Sequence, residues 1–196
     1  ISDIVIDEED PDVISVSIWP GGWYTNSPGS GFIFRSEDAG KSWNLKYTSE
    51  QLERITQLQP SPTDPKIIYA SVSRKGVIKS IDGGKSWFNP GNIGLAGVIS
   101  YDNESGIYNQ SGDSNFGRVS VSISHKNPNT LYLGAYSEFP VNGGPTTQFS
   151  KLYVSHDGGI SWNLIKNKDN TEDDWLNGLG YFANSIMIHP FNDSVV

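Results

Sequence analysis

Asp169-Asn170-Thr171-Glu172-Asp173-Asp174-Trp175 places four carboxylates and further side-chain oxygens within seven residues. Hard oxygen donors at that density are enough in principle for Ca²⁺ at 169–174. The D-x-[DN]-x-[DN]-G order of a dedicated calcium loop is absent, so a solvated acidic loop is the competing reading. Asp173 or Asp174 beside Trp175 also has the make-up of an acid set against a sugar-stacking ring. Cleaving a glycosidic bond takes two opposed carboxylates, however, and no second one stands out, so no residue is assigned as catalytic.

Aromatic side chains form the other candidate chemistry. Trp19-Pro20-Gly21-Gly22-Trp23-Tyr24 sets rings on a Gly-rich backbone, and Trp23 and Tyr24 are candidates for stacking on a sugar or a protein partner. The same rings could instead fill gaps between packed elements. Tyr101 lies in a stretch, 101–118, rich in Asn, Ser, Gly and Asp that reads as a binding loop or a mobile linker. The histidines are expected to be structural: His125 and His189 are read at one repeat position, and His156 lies inside a motif described below. No metal site is expected from them.

A formal charge of -8 and a pI near 4.7 oppose a phosphate backbone, so nucleic acid is not an expected partner. No apolar run approaches the roughly 18 residues of a membrane-spanning helix, and membrane insertion is not expected. With no cysteine, the chain has neither disulfides nor thiolate metal sites. Twenty-one Gly, eleven Pro and 12% aromatic residues favour short strands joined by many turns.

Two internal repeats organise those strands. The spacing S-x-D-x-G-x-x-W occurs at Ser36, Asp38, Gly40, Trp43, again at Ser80, Asp82, Gly84, Trp87, and again at Ser155, Asp157, Gly159, Trp162. Each copy follows a short strand-like run and precedes another, so it is a hairpin turn. The Asp can accept backbone N–H bonds from its own turn, and the Gly takes angles that other residues resist. Each Trp is expected to return to the core, where its packing outweighs one turn hydrogen bond. The second repeat, at 4–17, 55–72, 119–135 and 185–196, is an apolar strand, a turn on Asp10-Pro11, Asp64-Pro65, Asn127-Pro128 or Asn192-Asp193, and another apolar strand.

Together the repeats make a unit of strand a, Pro turn, strand b, variable loop, strand c, motif and strand d, which is a four-stranded antiparallel blade. The fold class is therefore all-β. It is a β-propeller of about three blades plus the start of a fourth, in an incomplete ring. Blades are expected at 1–50 and 51–98, a long loop plus blade at 99–170, and the start of the next at 183–196. Other blades of the same propeller are expected to complete the ring, since propellers close with typically about four to eight.

The motifs resemble the Asp-box (BNR) repeats of sialidases, xyloglucan-hydrolysing glycosidases and sortilin-type luminal receptors, and the likeness runs along nearly the whole chain. In such proteins the boxes sit on blade hairpins away from the active site, which implies structure and not catalysis for the twelve box residues. Members are mostly secreted, luminal or on the cell surface, so an extracellular or cell-surface location is implied. A sialidase would carry an arginine cluster and an F/Y-R-x-P type motif, whereas Phe34-Arg35-Ser36 runs straight into a box. Sortilin-type propellers precede a cysteine-rich module, and this chain has no Cys. The layout of boxes and long loops is most similar to the xyloglucanase-like proteins, though neither of their catalytic acids maps onto this sequence.

Strand order then sorts the loops. Boxes and Pro turns share one face of the blades, while the segments 20–30, 90–117, 138–150 and 166–182 gather on the other. That long-loop face is the expected site of contact with a glycan or protein. The expected function is a non-catalytic secreted or surface module. The competing one is part of a glycoside hydrolase whose acids lie partly outside these residues.

Overall fold

The computed structural model describes residues 1–19, 29–50, 53–95, 100–102, 107–109, 116–139, 147–165 and 184–196. Among them there is no helix, and the strands pair only antiparallel. Blade 1 comprises β1 (Asp3–Ile6), β2 (Ile14–Ile18), β3 (Phe32–Ser36) and β4 (Asn44–Thr48), in that spatial order. Blade 2 comprises β5 (Ile55–Pro60), β6 (Ile68–Val72) and β7 (Gly76–Ser80), and its fourth position is held by Phe88, bridged to Lys79. A separate hairpin pairs β8 (Ser100–Asp102) with β9 (Ile107–Asn109). Blade 3 comprises β10 (Phe116–Ile123), β11 (Leu131–Phe139), β12 (Thr147–Ser155) and β13 (Asn163–Leu164).

The Pro turns repeat bond for bond. Asp7 N–H donates to Val13 O, Ser61 to Ile67, Ser124 to Thr130 and His189 to Val195, at 2.8–3.0 Å. Inside each turn the side chain of Asp10, Asp64, Asn127 or Asn192 accepts the amide two residues on. This register corrects the histidine reading. His189 starts its turn, as Asp7, Ser61 and Ser124 do, whereas His125 is one place later. The fourth turn forms without flanking strands; only a His189–Asn192 bridge is present where two strands were expected. A lone two-stranded hairpin is marginal without a third strand or a packed face.

Packing places two cores between blades. Ile4, Val16, Phe34 and Leu45 face one another across blade 1, as do Leu58, Ala70 and Ile78 across blade 2 and Val121, Leu133, Tyr153 and Leu164 across blade 3. The blade 2 row packs with Val5, Ile33 and Tyr47 from the opposite face of blade 1. The blade 3 row packs with Tyr69 and Val77 from the opposite face of blade 2. Alternation along each strand therefore feeds two different seams, and both faces of blade 2 are apolar for that reason.

Strand lengths differ from expectation in two places. The described ends of the 138–150 segment are strand: β11 runs to Phe139 and β12 starts at Thr147. The 101–118 stretch contains β8 and β9, and β10 begins at Phe116. The start of the 90–117 segment is also not a free loop. Asn92 and Ile93 donate to Gly159 O and Ile160 O, and Trp162 N–H donates back to Ile93 O, so this stretch lies along the third box.

That contact explains why the three box tryptophans are not equivalent. Trp162, flanked by Gly94 and joined by Leu95 in its core, is 4% exposed; Trp87 is half-buried; Trp43, with no blade against it, is 41% exposed. The expectation that all three return to the core holds fully only for Trp162. Trp162→Ala should destabilise by about 3–5 kcal/mol. Trp43→Ala should cost about 1 kcal/mol, the scale of the single bond its indole makes to Gly40 O. Urea unfolding of the two variants measures the difference, and equal losses would contradict the seam assignment.

Candidate functional site

Each box closes on its own carboxylate. Ser36 Oγ donates to Asp38 Oδ1 at 2.8 Å and accepts the Gly40 amide at 2.8 Å, while Ser42 gives Asp38 both its amide (2.8 Å) and its hydroxyl (2.6 Å). The same four bonds recur at Ser80, Asp82, Gly84 and Ser86, and at Ser155, Asp157, Gly159 and Ser161. The second serine of each box, Ser42, Ser86 or Ser161, falls on an unassigned position of the S-x-D-x-G-x-x-W pattern, although the three keep one spacing in the sequence.

These bonds favour the ionised acid. The Ser42 hydroxyl, then its amide, then the Ser36 hydroxyl hold Asp38 down from the ordinary 3.8 to about 2. For Asp82 and Asp157 burial pushes upward most strongly, but the Ser86 and Ser161 hydroxyls and amides, with the Ser80 and Ser155 hydroxyls, together outweigh it and lower both. The carboxylates are consumed by their own turns. They are therefore poor candidates for general acid work, in keeping with a structural role.

The residue after each Asp is left-handed: Ala39 at φ 57°, Gly83 at 71° and Gly158 at 72°. Its amide donates to the Pro turn of its own blade, at Asp12, Lys66 or Asn129 O, each at 2.9 Å. Boxes and Pro turns thus share one face. The carbonyl of that residue is held across the seam, since Arg35 Nε donates to Gly83 O at 2.9 Å and Tyr69 OH to Gly158 O at 3.2 Å. Burial raises the Tyr69 phenol to about 12, with the Asp157 charge adding to it, so this donor stays protonated. A cleft lined by Asp7, Glu8, Glu9, Pro60, Pro62 and Asp64 opens on this face between blades 1 and 2.

The opposite face is built from chain ends that leave the strands. Trp19 follows β2, the 49–54 segment joins β4 to β5, and 73–75 joins β6 to β7. The Arg54 guanidinium carbon lies 4.2 Å from the centre of the Trp19 ring, an attraction between the cation and the ring face. Beside it Lys75 Nζ binds Glu53 Oε2 at 3.1 Å and Glu50 Oε1 at 3.4 Å. Burial alone would lower Lys75, but the Glu53 hydrogen bond and charge, with Tyr47 and Glu50, raise it. Gly31 donates to Glu53 O at 2.9 Å and to Ser49 Oγ at 2.6 Å, and a Cβ on Gly31 would sit 2.8 Å from Ile55. Glycine at this point is therefore required by the close approach of two blades.

Arg54 and Lys75 were not singled out by residue type, because neither belongs to a motif. Their positions at the junctions of loop and strand were the only available signal. Of the sequence candidates, Trp23, Tyr24, Asp173, Asp174 and Trp175 and the 169–174 loop lie outside the described residues. Tyr101 is in β8, paired with Tyr108. His189 Nδ1 accepts the Phe191 amide and His156 Nδ1 lies 3.4 Å from Thr130 Oγ1. No group of three or more His, Cys, Asp or Glu that could hold a metal occurs among the described residues.

A family model described as "BNR/Asp-box repeat" matches residues 153–164, the third box and its flanks. Among solved structures the chain is similar to an ancestral GH74 enzyme, at 18% identity and a TM-score of 0.52, with 83% of this chain and 19% of that one covered. It also matches the GH74 xyloglucanase from Xanthomonas campestris at 17% identity and a TM-score of 0.39, covering 97% of this chain and 34% of that one. A Dyadobacter fermentans protein of unknown function matches at 17% identity and a TM-score of 0.45, covering 82% and 52%. No curated protein sequence matches the chain. Three consecutive boxes, two seams and the first of these fold likenesses define an Asp-box β-propeller. Its described blades do not close a ring, and the chain spans a fifth to a third of the two GH74 structures.

Two measurements follow from the boxes. A lowered carboxylate stabilises the fold fully above its ordinary value near 3.8, and that contribution is lost as pH falls toward the folded value, about 2 for Asp38. The melting temperature should therefore drop between about pH 4 and pH 2, and Asp38→Asn should flatten the drop. An unchanged profile would mean that other groups carry it. Ala39 is the one box residue forced left-handed with a side chain, so Ala39→Gly should raise stability by about 0.5–1 kcal/mol in urea unfolding.

Proposed function

We propose that this chain is part of a secreted or cell-surface propeller that binds glycans through its long-loop face. The observation that carries the reading is the Trp19–Arg54 pair on that face. A half-buried indole fixed by a guanidinium offers an apolar platform beside N–H donors, and no described residue accepts a hydrogen bond from that guanidinium. Sugars combine apolar C–H faces with hydroxyl or carboxylate oxygens, which such a pair suits. The box face has less to offer a ligand, since its carboxylates and turn amides are bonded to each other. Glu50 and Glu53 are both engaged by the Lys75 ammonium.

The fold likeness to an ancestral GH74 enzyme favours a second reading, in which these blades belong to a glycoside hydrolase. A panel of plant, bacterial and sialylated glycans, with binding measured by calorimetry and release of reducing ends followed in parallel, separates the two. Binding without hydrolysis is expected. Trp19→Ala should weaken it by about tenfold or more, whereas Ser86→Ala in the second box should leave it unchanged. Hydrolysis would replace the binding reading with the second one, and indifference to Trp19→Ala would remove the site assigned here.

A further inference from the structure

The boxes spend their carboxylates on their own turns, but the first Pro turn carries charge that its bonds do not need. Aligned on those bonds, Glu8 stands where Pro62, His125 and Pro190 stand, and Glu9 where Thr63, Lys126 and Phe191 stand. Asp12 likewise takes the place of Lys66, Asn129 and Ser194. The carboxylates of Glu8 and Glu9 make no hydrogen bond or ion pair among the described residues. Three sister turns keep the same shape without them, so this charge serves something outside the turn.

Both glutamates are exposed at the mouth of the cleft between blades 1 and 2, a cavity of about 160 Å³. A cavity of roughly 150 Å³ takes up a molecule the size of benzene, so this one holds a single compact group. Its half-buried walls are Asp7, Val5 and Val13 from blade 1 and Asp64, Pro60 and Pro65 from blade 2. Asp7 and Asp64 each give Oδ1 to turn amides, and neither Oδ2 is engaged among the described residues. Deeper in the cleft lies Ser15, 3% exposed, with its Oγ 3.0 Å from where a Cβ on Gly84 of blade 2 would stand. That hydroxyl has no hydrogen-bond partner among the described residues. Buried hydroxyls are ordinarily paired, and the cleft is the side from which a partner can reach this one.

We propose that this cleft binds an arginine or lysine side chain presented by a basic peptide segment of a protein partner. The inserted cation donates to Ser15 Oγ and to the unengaged oxygens of Asp7 and Asp64, and its aliphatic stem lies against the prolines of the wall. No Lys or Arg among the described residues pairs with Asp7, Glu8, Glu9 or Asp64. The Arg35 guanidinium, which reaches Gly83 of the cleft lining, is engaged by Gly83 O and by Glu37. Outside the cleft, Glu8, Glu9, Asp10 and Asp12 provide for further positive charge on the same segment, which favours a peptide over a lone small cation. A metal ion suits the site less well, because no three acids among the described residues are grouped to hold one and much of the wall is apolar.

The test uses an acetylated hexapeptide bearing one Arg and one Lys, beside a counterpart in which citrulline and acetyl-lysine replace them. Each is titrated by calorimetry, at about physiological ionic strength, into the protein at its natural length. The charged peptide should bind at one site and the neutral one should not. Ser15→Ala, which removes only the hydroxyl, should weaken binding about tenfold, and Glu8→Gln with Glu9→Gln about fivefold. Failure of the charged peptide to bind overturns the proposal. Binding that is indifferent to Ser15→Ala also overturns it, by reducing the effect to diffuse attraction between opposite charges. Ethylguanidinium binding as tightly as the peptide would replace the peptide partner with a small cation, and displacement of the peptide by equimolar Ca²⁺ would replace it with a metal. Matching unfolding midpoints for the parent and the variants tie any lost affinity to the cleft.

Discussion

One left-handed residue in each Asp box ties the molecule together. Its N–H is bonded to the Pro turn of its own blade in all three boxes, and at Gly83 and Gly158 its C=O is bonded to a donor on the blade before. The two peptides flanking that residue are held in these directions by a turn that the neighbouring carboxylate closes with the serine hydroxyls and amides. A left-handed residue in an open loop would cost energy and gain no fixed direction. The box therefore acts as a coupling between hairpin, turn and seam, and its acid is spent on that coupling.

The coupling sets alignment more than stability. Each seam bond is worth about 1 kcal/mol net. Burying one large aliphatic or aromatic side chain is worth about 1.5–3 kcal/mol, and the larger seam buries nine such residues and Ala135 among the described residues. The apolar rows thus hold the blades together, while the box carbonyl and the capped amides of Leu58 and Val121 decide which residue meets which. Non-directional burial cannot select a register, because a slide along the seam would bury similar area. Directional bonds at both ends of the sheet remove that freedom.

This division explains what could be read from residues alone. The boxes and Pro turns were legible because their constraints are local: a carboxylate, a glycine and a proline at fixed offsets announce one turn. Blade order and the sharing of one face by boxes and Pro turns followed by antiparallel geometry. The different fates of Trp43, Trp87 and Trp162 were not legible, since each depends on a neighbouring blade and not on its own motif. The same holds for Arg54, which acquires meaning only where the end of one blade brings Trp19 beneath it. The extent of β11 and β12 was not legible, because Gly and Pro in a sequence mark a turn without fixing where the flanking strands end. Of the binding residues read from sequence, five lie outside the described residues, so the loop face rests here on Trp19 and Arg54.

What repeats from seam to seam is the bond and not the residue. Arg35 Nε at one seam and Tyr69 OH at the next reach equivalent carbonyls from different strands, and Asp3 and Gln57 cap equivalent amides with different groups. Any side chain that delivers a donor or an acceptor to the right point satisfies the seam, and any aliphatic of suitable volume satisfies the row. Such a fold can be retained at 18% identity over most of this chain, because few positions beyond the box, Gly31 among them, demand a particular residue type. Among the described residues the inter-blade bonds toward the loop face are few, Gly31 N–H to Glu53 O and Thr56 Oγ1 to Val119 O. Most of that face's composition can therefore change at little cost to the ring, Gly31 being the exception.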